Sequence, residues 1–367
     1  MDLRASNSTH SFSNMEDFFS ISAKTTSIPK EYIWPKKDLV LADEELQEPV
    51  VDLQGLVRGD WEATRHAARL VRAACLKHGF FQVINHGVDS HLIRMAHHQA
   101  KAFFKLPLSE KRKGQQQLGS KWGFSVAHAH RFSTKLPWKE MLTFGFPHEG
   151  SNAVVVDFFE SFFGEGFEET GLVFQRYCEA VKKLSLAIME ILGISLGIDQ
   201  YYFREYFEDG NAIVRANFYP TCPEPGLTLG IGPHSDPTSV TILHQDEVGG
   251  LEVFVDNKWR SIRPRHDAFV INLGDTFMAL TNGMYKSCLH RAVVKKHQER
   301  ISLTYFLCPR EDKMIKPPQD LISSIEEEPR KYPDFTWFDF LRYTSEHYRA
   351  DETTLQNFTK WFTSFNP

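Results

Sequence analysis

Gly249-Gly250-Leu251-Glu252-Val253-Phe254-Val255-Asp256-Asn257 is a short β-type run closed at each end by turn-forming residues. Leu, Val and Phe suit a pleated, half-buried surface, while the Gly-Gly and Asp-Asn pairs supply the backbone freedom of tight turns. The same texture extends to both sides. Residues 212–218, 239–243, 268–272, 288–294 and 301–306 are β-type runs broken by Gly, Pro, Asn and Asp, with another turn signal at Gly274-Asp275. Such runs, without helical spacers between them, predict an antiparallel sandwich or barrel, and their spacing suits a jelly roll better than a βαβ fold.

Farther out the periodicity changes. Asp60 is placed to cap a helix whose apolar face carries Trp61, Ala68, Val71, Ala74 and Cys75 and which ends at Gly79. Residues 80–84 read as a buried strand, Ser90 as the cap of an amphipathic helix running through Phe103-Phe104, and 172–196 as a long helix with an apolar stripe. Helical patterns return at 337–348 and 353–362. The expected organisation is a mobile tail over 1–28, a helix-rich region over 29–205, a jelly-roll core over 206–312 and a helical segment over 313–367.

Composition bounds the function. A chain of 367 residues that is 42% hydrophobic and 13% aromatic, with 30 Phe, has material for a large interior and an enclosed site. A formal charge of -5 and the lack of a basic stripe disfavour nucleic acid. The start of the chain has acids and no apolar h-region, and no long apolar run follows, so neither secretion nor membrane insertion is expected. Five scattered cysteines suit free thiols in a reducing cytosol, which makes a cytoplasmic protein the expectation.

Three residues suggest a metal. His234-Ser235-Asp236 puts an imidazole and a carboxylate two residues apart, which in a strand means one face. His290, in a later β-type run, would complete two histidines and one carboxylate, the facial set of non-haem Fe(II) oxygenases. Spacing alone does not choose this set over His244-Gln245-Asp246 or His128-Ala129-His130. Arg300 and Ser302, again two apart in a β-type run, could grip a carboxylate, the guanidinium bidentately and the hydroxyl by a hydrogen bond. Asn217 and Tyr219 share a face in another run and could add an amide and a phenol.

Taken together, Asn217-Phe218-Tyr219-Pro220, His234-Ser235-Asp236, the run from Cys288 through His290 to Val293, and Arg300-Ile301-Ser302 resemble the plant 2-oxoglutarate-dependent dioxygenase family. His78-Gly79-Phe80-Phe81-Gln82-Val83 with Asn85-His86-Gly87-Val88 looks like that family's amino-terminal region. The resemblance implies an α+β fold whose mainly β core is a distorted double-stranded β-helix, or jelly roll, flanked by α-helices. It also implies Fe(II) on His234, Asp236 and His290, and the distal carboxylate of 2-oxoglutarate on Arg300 and Ser302, assisted by Tyr219 and Asn217. No catalytic side chain beyond these ligands is implied. The resemblance further implies dioxygen as the oxidant and ascorbate as a supporting reductant.

Within the family the chain is most similar to gibberellin 20-oxidases, through Leu136-Pro137-Trp138-Lys139-Glu140, the stretch from Thr228 to Leu251, and Asn272 to Leu280. It departs from their usual residues at Met141, Phe218, Thr221 and Ser235, none of them an implied ligand. The resemblance implies a small diterpenoid substrate, decarboxylation of 2-oxoglutarate to succinate, and stepwise oxidation of carbon-20 to nineteen-carbon gibberellins. Trp138, Lys139 and Met141 are the implied substrate contacts, with Lys135 and Arg131 as further cations for substrate carboxylates. A competing reading of 138–140 is a loop packed over the barrel. Competing readings of the function are gibberellin 3- or 2-hydroxylation, action on a flavonoid, and a non-catalytic jelly-roll binding protein.

Overall fold

Two β-sheets face each other in the computed structural model, which describes residues 27–117, 120–127, 135–148, 153–323, 330–347 and 354–365. Nearly all of the 1–28 tail, together with His128, His130 and Arg131, lies outside the described residues. In chain order the strands of these sheets are β1 (Glu44–Glu45), β2 (Val50–Asp52), β3 (Phe80–Ile84), β4 (Gly123–Val126), β5 (Glu140–Phe146), β6 (Asn211–Tyr219) and β7 (Ile231–His234). There follow β8 (Val240–Gln245), β9 (Leu251–Val255), β10 (Lys258–Ser261), β11 (Phe269–Leu273), β12 (His290–Ala292) and β13 (Arg300–Cys308). The larger sheet has eight strands in the order β2-β3-β11-β8-β13-β6-β5-β4, and the smaller has five in the order β1-β10-β9-β12-β7. The pairings are antiparallel except β2 with β3 and β1 with β10. The fold is therefore the expected α+β jelly roll with flanking helices, and its larger sheet also takes β2 to β5 from the helix-rich half.

Turn chemistry makes the opening stretch a hairpin. Asp256 and Asn257 adopt φ of 53° and 61°, the left-handed pair that lets β9 turn directly into β10. Leu251, Val253 and Val255 of β9 pack on Phe80 of β3 and Val270 of β11, which joins the two sheets through an apolar cluster.

Strict alternation decides which way β6 and β13 face. Ala212, Val214, Ala216 and Phe218, with Ile301, Leu303, Tyr305 and Leu307, join the main core under the helices. Their neighbours Arg215, Asn217, Tyr219, Arg300, Thr304 and Phe306 line the barrel's cavity instead. The helix Ser90–Lys105 packs on the outer face, where Phe104 stacks on Phe218 at 5.2 Å between ring centroids. The helix Glu168–Leu196 packs across Trp61–Lys77 and Ser90–Lys105, and a Phe cluster of Phe144, Phe159 and Phe174 fastens its start to β5.

Three local expectations are corrected. Asp60 caps Trp61–Lys77 through Glu62 N and Ala63 N, but Trp61 is 52% exposed and lies off the buried face. The cap of the next helix is Asp89, whose carboxylate accepts from His91 N, so Ser90 is its first helical residue. Gly274-Asp275 starts the buried helix Asp275–Leu280 and is no hairpin turn. Among the described residues no helix is long and apolar enough to cross a membrane.

Candidate active site

β12 lies between β9 and β7, and its register sets His290 directly opposite His234. The two imidazoles stand with ring centroids 4.2 Å apart. Asp236 joins them by a different route from the shared strand face expected of it, because β7 ends at His234. The carboxylate is carried in the turn before β8, which is tied down where Asp275 N donates to Asp236 O at 2.8 Å. That turn approaches Gly274 so closely that a Cβ there would lie 2.0 Å from Thr238 O. Glycine is therefore required beneath the metal-facing turn.

The three side chains form one set, with ligand atoms all within 4.8 Å of one another. Asp236 Oδ1 is 3.7 Å from His234 Nε2, and Oδ2 is 3.7 Å from His290 Nε2. His234 Nδ1 lies 2.9 Å from Gly232 O, and His290 Nδ1 lies 3.1 Å from Cys288 O. A carbonyl oxygen only accepts, so each Nδ1 carries the proton and each Nε2 presents a bare lone pair inward. Thr241 Oγ1 donates to Asp236 Oδ2 at 2.6 Å and Asn272 Nδ2 at 2.9 Å, fixing the third donor. Burial, then the adjacent His290, pulls His234 down to about 3, which keeps it neutral. Burial pushes Asp236 up, but the two imidazoles and the Thr241 and Asn272 hydrogen bonds outweigh it and hold the carboxyl below its ordinary value. Two imidazoles and a carboxylate on one side of a point fit a six-coordinate first-row divalent metal such as Fe(II), with positions left for small ligands.

Arg300 is the second component. Its side chain is 3% exposed, its guanidinium sits 4.9 Å from the Tyr219 ring centroid, and Nη2 donates to Gln245 Oε1 at 3.2 Å. Ser302 Oγ is a long 3.5 Å from Nη1, and Nε has no hydrogen-bond partner among the described residues. The other buried arginine shows what satisfaction looks like. Arg291 pairs with Glu252, donates to Asp38 O and Val40 O, and lies 4.0 Å over Trp259. Among the described residues no carboxylate lies within ion-pair distance of Arg300; the nearby Asp246 carboxylate, which feels its charge, is held by Val248 N and Ile301 N, so the Arg300 site fits an incoming carboxylate such as that of 2-oxoglutarate. Asn217 Nδ2 reaches Ser302 Oγ at 3.5 Å and Thr304 Oγ1 at 3.2 Å, which places it beside this pair.

The rival pair separates. His244 faces the helices, where its Nδ1 lies 2.8 Å from His97 Nε2 and its Nε2 lies 3.3 Å from His266 O. Asp246 caps the following turn, accepting from Val248 N and Ile301 N. Burial, then the neighbouring His244, pulls His97 from an ordinary 6.5 to about 3. Burial likewise holds His244 at about 4. The unfolded chain binds more protons at these sites, so their contribution to stability is complete above about 6.5 and is lost as pH falls toward about 4. A His97→Phe variant should therefore show a flatter dependence of its unfolding midpoint on pH across that window; equal slopes in variant and wild type would sink this account.

Between the metal-type ligands and the solvent lies a cavity of about 330 Å³. Lys139 lines it, with Nζ 3.3 Å from Asn217 Oδ1. Trp138 and Met141 do not. Trp138 is buried edge-on to Tyr32 at 5.3 Å, and Met141, opposite Asn217 in register, is buried outside the lining. Of residues 138–140, Trp138 and Lys139 are buried in the irregular segment that leads into β5, as the packed-loop reading has it, while Glu140 opens the strand and pairs with Lys111 at 2.6 Å in the interior. Lys135 is half-buried and outside the lining. Sequence reasoning missed Arg215, Trp337, Leu341 and Thr344, all of which line the cavity. Alternation from Asn217 could have indicated Arg215. Nothing local marks the helix Trp337–His347 as part of the mouth.

A jelly roll with this donor set and a buried guanidinium without a carboxylate is the architecture of an iron-dependent oxygenase that uses a 2-oxo acid. Residues 210–309 match the 2OG-Fe(II) oxygenase superfamily and residues 49–158 match the non-haem dioxygenase in morphine synthesis N-terminal family. The chain belongs to the 2OG-Fe(II) oxygenase superfamily and is an enzyme of that family. It is similar to Gibberellin 20 oxidase 3 of Arabidopsis thaliana, with 50% identity over 97% of this chain and 94% of the relative. It is also 54% identical to Gibberellin 20 oxidase 2 of Oryza sativa subsp. japonica, over 91% of this chain and 85% of the relative. Among solved structures, JOX2 in complex with 2OG, Fe and JA superposes with a TM-score of 0.80 at 31% identity, covering 93% of this chain and 96% of that one.

Proposed function

We propose that this enzyme is a gibberellin 20-oxidase, oxidising carbon-20 of gibberellin precursors at the expense of 2-oxoglutarate and dioxygen. The observation that carries the chemistry is the Arg300 guanidinium, buried without an ion-paired carboxylate among the described residues in the same cavity as His234, Asp236 and His290. The substrate reading is supported by 50–54% identity to named gibberellin 20 oxidases over more than nine-tenths of the chain.

His234, Asp236 and His290 would hold Fe(II), which when bound couples dioxygen reduction to decarboxylation of 2-oxoglutarate to succinate and to oxidation of the substrate carbon. Arg300 and Ser302 would bind the distal carboxylate, with the Tyr219 ring and Asn217 holding the two in place. Apolar groups at the mouth, among them Ile213, Phe306, Trp337 and Leu341, exclude water and match a fused hydrocarbon skeleton. Arg215 and Lys139 supply positive charge for a substrate carboxylate.

Product analysis tests this reading. The purified protein, supplied with Fe(II), 2-oxoglutarate, ascorbate and twenty-carbon precursors, should release succinate and carbon-20-oxidised products by mass spectrometry. Hydroxylation elsewhere with carbon-20 intact would make it a sibling hydroxylase. Arg215→Met should raise KM for such a precursor about tenfold with little change in kcat, the loss of about 1.4 kcal/mol of binding shared by ground and transition states. An unchanged KM would remove Arg215 from substrate recognition.

A further inference from the structure

The segment from Ile28 to Leu46 touches both strands that carry the imidazoles. Trp34 N donates to Leu227 O at 2.9 Å, and its ring lies against Gly232 of β7 so closely that a Cβ on that glycine would be 2.1 Å from Trp34 Cη2. Arg291 of β12, next to His290, holds Asp38 O at 2.7 Å and also Val40 O. Beyond it, β1 pairs with β10 and Leu46 N donates to Ser261 O at 2.8 Å. The segment is thus a strap fastened from one edge of the small sheet toward the other.

One contact bears on the metal. Gly232 O, part of the residue on which Trp34 rests, is the acceptor that fixes the His234 ring at 2.9 Å. Trp34 Nε1 donates to Leu136 O at 3.2 Å, which locks the indole in place. We propose that Trp34 is a positioning residue for His234: the strap braces the Gly232 peptide, the peptide orients the imidazole, and the bare Nε2 is held at the ligand point. Tryptophan suits this role because one side chain combines a ring long enough for its outer carbons Cη2 and Cζ3 to reach the glycine backbone with a donor that fixes its own rotation. The inference rests on the metal reading of His234, Asp236 and His290.

The test uses Co(II) as the probe on the full-length metal-free protein, read by its dissociation constant and visible d–d absorption, alongside the unfolding midpoint. Trp34→Ala should weaken Co(II) binding about tenfold or more, the usual scale for losing a group that orients a ligand, and alter the d–d bands. Trp34→Phe, a shorter aromatic ring without the donor that fills only part of the space, should lose less. Phe358→Ala, a buried change in the carboxy-terminal helix Thr354–Phe365 among Phe335 and Phe340, serves as a control for general destabilisation. It should lower the midpoint and leave Co(II) binding as in wild type. A Trp34→Ala protein that binds Co(II) with wild-type affinity and spectrum overturns the proposal, as does equal weakening in Phe358→Ala. If Trp34→Ala fails to fold, Trp34→Phe carries the same comparison, and wild-type affinity and spectrum there overturn it. Absence of Co(II) binding by wild type sinks the metal reading itself, an outcome distinct from the others.

Discussion

Asp236→Ala should abolish turnover, with succinate release falling by roughly three orders of magnitude or more. Changing a group that merely orients a metal ligand costs about 10–100-fold, so removing the ligand itself must cost more. Asp236 is also the set's only anion, and two neutral imidazoles cannot hold a divalent ion comparably. The loss has a structural side, because Thr241 and Asn272 donate to the same oxygen, Oδ2, and would be left facing a hole. Asp236→Asn separates the two effects. Its amide can retain one acceptor for those donors and preserve folding, while the missing charge still removes most of the metal affinity. Metal content after anaerobic loading, measured with succinate release, checks this. An Asp236→Asn protein that retains metal and near-wild-type turnover would falsify the assignment of this carboxylate.

How far the sequence reveals this site depends on which interactions are local. The β9–β10 hairpin is legible because Asp256-Asn257 carries its own turn geometry, and the two faces of β13 because polar Arg300, Ser302 and Thr304 alternate with apolar Ile301, Leu303 and Tyr305. Arg300 lines the cavity and Ser302 Oγ lies 3.5 Å from its Nη1, the neighbourhood their spacing predicts. The companionship of His234 and His290 could not be read from spacing. It depends on β12 pairing with β7, a register fixed only when the sheet assembles. For the same reason spacing leaves His244-Gln245-Asp246 an equal candidate; the family resemblance favours the other set, and the contact with His97 shows the His244 imidazole turned toward the helices. Asp236 meets the two imidazoles by another route than the shared strand face its spacing predicts. Its carboxylate is delivered by a turn seated on Gly274, and that glycine had read as part of a turn signal of its own. Trp138 misled because a tryptophan beside a cavity and one filling a core look alike in sequence; its neighbours Tyr32 and Thr221 come from distant segments.

Arg300→Met should raise KM for 2-oxoglutarate about 100-fold without destabilising the protein, the opposite balance to Arg291→Met. A charge-assisted pairing of guanidinium with carboxylate contributes up to about 3 kcal/mol when desolvated, and about 2.8 kcal/mol corresponds to 100-fold. In the ligand-free chain that charge is a burden: Nε is unpartnered and no ion pair satisfies the group among the described residues. Methionine of similar length fills the space and removes the desolvation cost, so the unfolding midpoint should hold or rise. Added 2-oxoglutarate should raise the midpoint of metal-loaded wild type by mass action and leave that of the variant nearly unmoved. Arg291 is equally buried, but it neutralises Glu252 and holds the strap at Asp38 and Val40. Its loss strands a buried carboxylate and should cost about 3–5 kcal/mol. Thermal melts of both variants, with and without 2-oxoglutarate, decide the matter. If Arg300→Met lost stability as Arg291→Met does and kept its response to 2-oxoglutarate, Arg300 would be a structural cation, and the anion site would have to lie elsewhere in the cavity.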